Sequence, residues 1–402
     1  MSDLYFYDDT TARAFEPFAL TRPVSELRAG ALLLRERWVM ALGGRVAGVV
    51  TSPHLEGFEE PWAVPVVAAA AVLPAGSLLI NSRCAVALDK VRRADVIACD
   101  RRVAAVTLPR DVRVSELRDG RATLETLAKT GTKPREVQGR WIERVWDLVG
   151  ALVPMLASDL VTMSHGMKRA KVDGSTKSPD VYALRGATID AHTFFDTTNG
   201  PVYVAPGAHV HAFTRVVGPC YVGPNSHVSA DRIEASSIGE VSKVHGEMSN
   251  VVFLGHANKS HDGFVGHSYL GRWVNLGAGT ITSNLKNTYG SVDLWTPSGF
   301  ADTGLQFLGT FFGDHVKTGI GTTLNTGTVM GAAATIYGGA MPPKAVPPFA
   351  WGARAPYAAY RVDKFLMVTE RVMARRHVVL TDAQKRVLSA AFERRWSVAE
   401  PK

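Results

Sequence analysis

VAPGAHVHAFTRVVGPCYVGPNSHV, residues 204–228, sets the frame for the rest of the chain. Valines recur every six residues, at Val204, Val210, Val216, Val222 and Val228, and small residues follow four later, at Ala208, Thr214, Cys220 and Ser226. A six-residue apolar/small period predicts a parallel β-helix, in which each unit supplies one flat face of a three-sided coil. The aliphatic side chain points inward, the small residue fits the corner, and stacked coils share a core that no single coil could bury. Two or three such matches arise by chance. Five valines in one register favour the β-helix over a sandwich of short alternating strands. The phase returns at Phe264, Leu270 and Leu276, again at Leu308 and Ile320, and at Met330 and Ile336. Asn284–Thr303 falls out of it, which predicts an external loop of the kind on which sites tend to form.

Outward from this repeat the texture changes. Leu4–Tyr7, Arg45–Val50, Ser77–Ile80 and Asp95–Ala98 read as short buried strands, and Ser25–Leu42 and Gly139–Leu156 have helical apolar spacing. The alternation predicts an α/β domain with a mainly parallel sheet over residues 1–175, ending near Asp173–Ser178. The β-helix then covers 176–350. After Pro342-Pro343 and Pro347-Pro348 come two helices within 351–402, the first with Phe365, Leu366, Thr369, Val372 and Met373 on one face, the second capped at Thr381-Asp382.

The 402 residues suit two or three domains, and 46% hydrophobic with 20% charged residues excludes disorder as the main state. Cys84, Cys99 and Cys220 lie far apart, with no CxxC pair, which argues against a disulfide scaffold or a cysteine-zinc site and for a reducing cytoplasm. The opening MSDLYFYDDTT lacks the features of a signal peptide. Val64–Ile80, broken by Pro65 and Pro74, falls short of a membrane span. Of the net charge of +8, most sits beyond Trp351, where eleven Lys or Arg face five Asp or Glu. Such a tail either meets an acidic ligand or is a solvated helix face. We expect no nucleic acid and no membrane as partner.

Eight of the twelve histidines lie between His209 and His315, densest in GHANKSHDGFVGHSYLG with His256, His261 and His267. They read as metal ligands or as one general base among surface residues. Glu247, His261 fourteen residues later, and the run Val274-Asn275-Leu276-Gly277-Ala278-Gly279-Thr280-Ile281-Thr282-Ser283-Asn284 resemble the acetyltransferase domain of the GlmU family, whose members are bifunctional sugar-nucleotide synthases with a left-handed β-helix. The resemblance implies that His261 is the general base, Glu247 its orienting partner and Asn284 an aid at the acyl carbonyl. Asn275 would contact the sugar phosphate, and Ala278, Gly279 and Thr322 would line the acetyl-CoA channel. Two positions depart from the family: Phe264 replaces a tyrosine and Ser249 a phosphate-binding lysine. Lys259 and Lys286 are the candidates to compensate.

The wider pattern, including NKSHDGF, TSNLKNTYG, GDHVKTGIGT and VMARR, is similar to a divergent GlmU-like branch, which implies a nucleotidyltransferase-like (Rossmann-like) N-terminal domain. The glycine-rich GxGTRM loop of that domain is here Asp8-Asp9-Thr10-Thr11-Ala12-Arg13. Arg13, Arg22 and Arg28 are left as phosphate ligands. Asn81 stands where an acidic ligand of magnesium, the ion implied for the nucleotidyl step, is expected. The reading is acetyl transfer from acetyl-CoA to an amino-sugar phosphate, glucosamine-1-phosphate, followed by uridylyl transfer from UTP to give UDP-N-acetylglucosamine, in a homotrimer. The competing readings are a zinc hydratase like the γ-class carbonic anhydrases, using His256, His261 and a third ligand near Cys220, and a non-catalytic nucleotide-sugar-binding protein.

Overall fold

The computed structural model describes residues 3–172 and 180–397, and the boundary expected at Asp173–Ser178 lies outside the described residues. The chain forms two compact units, Met1–Val145 with Leu380–Arg394, and Trp146–Val379 with Arg395–Lys402.

The first unit is built on a six-stranded sheet in the order Arg135–Val137, Val96–Cys99, Arg102–Thr107, Leu78–Asn81, Leu4–Tyr7, Val46–Val50. Leu4–Tyr7 runs parallel to both its neighbours, whereas Arg102–Thr107 is antiparallel to both of its own. The sheet is therefore mixed. All four strands expected from sequence form. The helical reading of Ser25–Leu42 holds only for Leu34–Leu42, because Gly30 takes a φ of +67° and turns Arg28–Ala29 back on Leu32–Leu33 as a small hairpin. The reading of Gly139–Leu156 is corrected likewise. Gly139–Trp141 is a strand lying so close to Cys84–Val86 that a Cβ on Gly139 would meet the Ala85 carbonyl oxygen at 2.9 Å, and helices occupy Asp147–Gly150 and Leu152–Met163.

The second unit is a left-handed parallel β-helix of about 10 turns over residues 181–352. One face is a nine-stranded parallel ladder from Val181–Ala183 to Ala345–Val346. The five valines of the repeat are fully buried, and so are Ala208, Thr214, Cys220 and Ser226 at the corners. Each buried valine contributes roughly 1.5–3 kcal/mol. The phase fades in mid-repeat for a physical reason. Successive turns there take sixteen, fifteen and seventeen residues (Tyr221↔Ser237, Ser237↔Val252, Val252↔Tyr269) rather than the eighteen of Val202↔Cys220. Two inward assignments are corrected, the second because the insertion between Tyr269 and Phe311 resets the phase ahead of an eighteen-residue turn. Val265, not Phe264, enters the core, and Thr318 takes the inward place, leaving Ile320 80% exposed.

The out-of-phase segment leaves the coil as expected. Its centre is the hairpin Asp293–Thr296/Gly299–Asp302, and the bridge Leu285↔Phe307 closes its neck. Of the two C-terminal helices, Val362–Ala374 buries Phe365, Thr369 and Met373 within the β-helix unit. Asp382–Glu393 belongs to the first unit, with Thr381 Oγ1 accepting from the Gln384 N–H at 3.1 Å as its cap. Among the described residues no helix is long and apolar enough to cross a membrane.

Candidate active site

The β-helix offers an open groove of about 550 Å³ lined by His245, Ser260, His261, Asp262, Ala278, Gly279, Ile320 and Gly321. It lies along one corner of the coil. Three turns of backbone stack there, with Gly279 N–H donating to the Asp262 carbonyl at 3.0 Å and Gly321 N–H donating to Ala278 at 2.8 Å. Gly279 and Gly321 hold φ values of +70° and +71°, which the tight corner requires and which an L side chain rarely adopts. The part of the wall formed by Ala278, Gly279 and Gly321 consequently presents mostly backbone, with exposed Ile320 beside it.

His261 is exposed on this corner, and its ring makes no hydrogen bond or ion pair among the described residues. Glu247 does not reach it. The glutamate sits beside Phe264 in the ladder, and its carboxylate lies 3.9 Å from Arg232, itself held by Glu234 at 2.5 Å. The orienting contact expected between Glu247 and His261 is absent among the described residues because the corner Ser260–Gly263 carries two extra residues relative to the turn below: the pairing Val244↔Lys259 passes to Glu247↔Phe264. The carboxylate that does meet an imidazole here is Asp262, with Oδ1 2.9 Å from His245 Nε2.

The remaining predicted residues scatter. Lys259 occupies an inward position and is buried, its ammonium donating to the carbonyls of His245 (3.1 Å) and His261. Burial pulls its pKa down to about 8. It holds the corner from within. Lys286, in the external loop, lies 3.3 Å from Asp293. Asn275 is exposed, one turn above Asn258, whose Nδ2 donates to its Oδ1 at 2.9 Å. Asn284 donates to His267 Nδ1 at 2.9 Å, and burial holds the His267 pKa down to about 4. Ala278 and Gly279 line the groove. Thr322 does not: it is buried, with its hydroxyl bonded to the Gly319 carbonyl at 2.8 Å. The zinc-hydratase set is not assembled. His256 is buried against Trp273 and accepts from Arg272 at 3.0 Å, and Cys220 is in the core. Sequence reasoning missed His245, Asp262 and Ile320, the last because its apolar character read as core.

In the first unit, Asp8 and Asp9 stand at the carboxyl end of the strand Leu4–Tyr7, beside Asn81 at the end of its neighbour, the usual place for ligands in an open α/β sheet. Here the charges are spent on one another. Arg83 reaches Asp9 at 2.7 Å and Glu143 at 2.6 Å, and Asn81 donates to Asp9 at 2.9 Å. Burial raises the Asp9 pKa, but the hydrogen bond and charge of Arg83 outweigh it and hold the carboxyl below its ordinary value. Asp8 is buried, accepting from Thr51 (2.6 Å) and the Val24 N–H (3.1 Å), and burial pushes its pKa up. The three arginines read as phosphate ligands each make contacts within the fold. Arg22 is buried in a bidentate pair with Glu60 (2.7 and 3.0 Å), and Arg28 is buried on the Ala31 carbonyl. Arg13 bonds the Asp8 carbonyl at 3.1 Å and lies 3.9 Å from Asp119.

Residues 4–168 match the family model described as sugar nucleotidyl transferase. A bifunctional sugar-1-phosphate nucleotidylyltransferase/acetyltransferase of Sulfurisphaera tokodaii is 36% identical over 95 residues, 24% of each chain. The match thus spans about a quarter of the length of that curated relative. Among solved structures, a variant of AntD, an N-acyltransferase from Bacillus cereus in complex with dTDP-4-amino-4,6-dideoxyglucose and coenzyme A, aligns at a TM-score of 0.23 and 11% identity. That alignment covers 50% of this chain and 90% of AntD. The polysialic acid O-acetyltransferase OatWY aligns at 0.17 and 11%, covering 46% and 87%.

Proposed function

We propose that this chain is a two-function sugar-nucleotide enzyme. Its β-helix transfers an acetyl group from acetyl-CoA to the amine of an amino-sugar phosphate, glucosamine-1-phosphate in our reading. Its N-terminal domain joins the product to the uridylyl group of UTP, releasing pyrophosphate and giving UDP-N-acetylglucosamine. The observation that carries the acyl-transfer half is the free, exposed ring of His261 on a groove walled by Ala278 and Gly279. The amine attacks the thioester carbonyl, and its proton passes to His261 as the C–N bond forms. The C–S bond then breaks, and the thiolate of coenzyme A leaves and takes up a proton. Negative charge on the carbonyl oxygen needs a donor. The Ala278 N–H, in the groove wall and making no hydrogen bond among the described residues, is our candidate beside Asn284. Asn275 is our candidate for the sugar phosphate.

The nucleotidyl half rests on the family match of residues 4–168. We place the protein in the cytoplasm as a homotrimer, in which neighbouring coils share each acyl-transfer site. Sedimentation as a monomer at micromolar concentration would sink the trimer. The function is tested by mass spectrometry of products from a panel of sugar phosphates, nucleotides and acyl-CoAs, with and without magnesium. N-acetylated sugar phosphate supports the first activity and UDP-sugar with pyrophosphate the second. Absence of both products leaves the nucleotide-sugar-binding reading in its place.

A further inference from the structure

Outside the groove the β-helix carries a second group of imidazoles. His209 and His211 flank inward-pointing Val210, His209 on the strand His209–Val210 and His211 just past its end, so alternation sends both outward. The register His209↔His227 places His227 on the same outer face, one turn on. One ring nitrogen of each of the three lies within 4.8 Å of one from each of the others. His211 Nε2 is 3.3 Å from His227 Nδ1, and the rings of His209 and His211 stack at 3.8 Å. We propose that His209, His211 and His227 form a zinc(II) site on the outer face of the β-helix, with Asp190 as the carboxylate that orients it.

The geometry fits the ion. Tetrahedral zinc with Zn–N bonds of about 2.0–2.1 Å sets ligand nitrogens about 3.4 Å apart. The His211–His227 pair already has this separation, and His209 needs only a side-chain adjustment to join. Asp190, on the turn before, lies 2.8 Å from His209 Nε2 and 3.7 Å from His211 Nδ1, and it accepts from the Ala212 N–H at 3.2 Å. A carboxylate on the far nitrogen of a ligating imidazole fixes its tautomer and raises its basicity. The scaffold is rigid, since Val210 and Val228 are fully buried beneath the site. His209 and His211 are half-buried and His227 is exposed, so the cluster is partly shielded yet open to solvent on one side. Three imidazoles leave a fourth position for water. Imidazole ligands suit zinc and its transition-metal neighbours rather than magnesium or calcium. The site is separate from the groove: Ser229 stands between His211 and His245 along the stack of turns.

The test uses the full chain, stripped with a chelator. Cobalt(II) should bind with the visible absorption of a tetrahedral ion, be displaced by zinc, and give about one equivalent of zinc per chain by elemental analysis. His211→Ala and His227→Ala should each weaken zinc binding by roughly a hundredfold or more, and Asp190→Asn by about tenfold to a hundredfold. His261→Ala should leave zinc binding unchanged. The substituted side chains sit on the outer face, so thermal melts should match the wild type. If His211→Ala melts early, the folded Asp190→Asn variant carries the test. Failure of the wild type to bind zinc, or binding unaffected by His211→Ala, His227→Ala and Asp190→Asn, overturns the site. The readout is the metal itself, so the outcome does not depend on the acetyltransferase reading.

Discussion

The two regions that carry the functional expectations treat charge in opposite ways. At the carboxyl end of the N-terminal strands, Arg83 and Arg22 are buried and their guanidinium groups are neutralised by Asp9, Glu143 and Glu60. In the β-helix groove, His261 is exposed and unengaged among the described residues. Similar residue types therefore serve cohesion in one place and remain available for chemistry in the other, and the presence of a partner decides which. Arg83→Ala tests the first half of the contrast and should have the largest effect. Removing one partner of a buried ion pair strands the other, at a cost of about 3–5 kcal/mol. Arg102, 3.8 Å from Asp9, softens the loss toward the lower figure. Thermal unfolding of the N-terminal unit should fall by roughly 6–12 °C. An unchanged melting temperature with lost nucleotide binding would instead make Arg83 a ligand residue.

His261→Ala is the mirror image. The side chain supports nothing, so stability should stay within about 0.5 kcal/mol of the wild type. Acetyl transfer should fall about a hundredfold, the low end for loss of a general base, equivalent to about 2.7 kcal/mol in the barrier. Turnover is followed by release of the coenzyme A thiol. A variant that melts early but turns over normally would reverse the assignment.

Lys259 sharpens the contrast further, as a buried cation with no carboxylate in ion-pair range among the described residues. Burial takes its pKa from 10.5 to about 8. Between those values the unfolded chain holds a proton that the folded chain has released, so stability rises with pH across that window. Below about pH 8 both states are protonated and the burial cost is complete, and above about pH 10.5 it is gone. The gain is at most about 3 kcal/mol. The carbonyls of His245 and His261, which favour the ammonium, reduce it toward about 1 kcal/mol. Urea unfolding at pH 8 and pH 10 should show the gain in the wild type and not in Lys259→Met. An equal pH response in both would detach it from Lys259.

Much of the fold was legible because burial in a β-helix is periodic. Val204 to Val228 repeat the inward position without a gap, and every one is buried. Legibility ended where turns shorten to fifteen or sixteen residues, since a fixed period cannot follow them, and Phe264 was misplaced for that reason, whereas Ile320 lies in an eighteen-residue turn whose phase is reset by the insertion before it. The site was half legible. Conserving sequence distance brought His261, Ala278 and Gly279 to one groove, but the two extra residues at Ser260–Gly263 keep Glu247 away. Arg22 and Arg28 failed differently. Their partners, Glu60 and the Ala31 carbonyl, are set by tertiary packing, which no local pattern encodes. The histidine cluster had a readable signature, two histidines two apart and a third eighteen beyond the first, which in a β-helix means one face and adjacent turns.

The smallest expected effect concerns Glu247, and it separates geometry from family resemblance. If the resemblance governs, Glu247 orients His261 and stabilises the imidazolium formed as the amine attacks, so Glu247→Gln should cut turnover severely. The geometry gives another answer. The carboxylate is exposed, lies 3.9 Å from Arg232, and belongs to the strand paired with Phe264 rather than to the corner that carries His261. A loosely held surface ion pair contributes about 0–1 kcal/mol, and Gln keeps the shape of the side chain. Acetyl transfer in Glu247→Gln should therefore stay within about twofold of the wild type, with its pH profile unmoved. A large loss with a shifted profile would mean that substrate binding remodels the corner Ser260–Gly263 to bring Glu247 onto His261. Parallel measurement of Asp262→Asn, which removes the carboxylate bonded to His245, would then tell which imidazole of the groove answers to which acid.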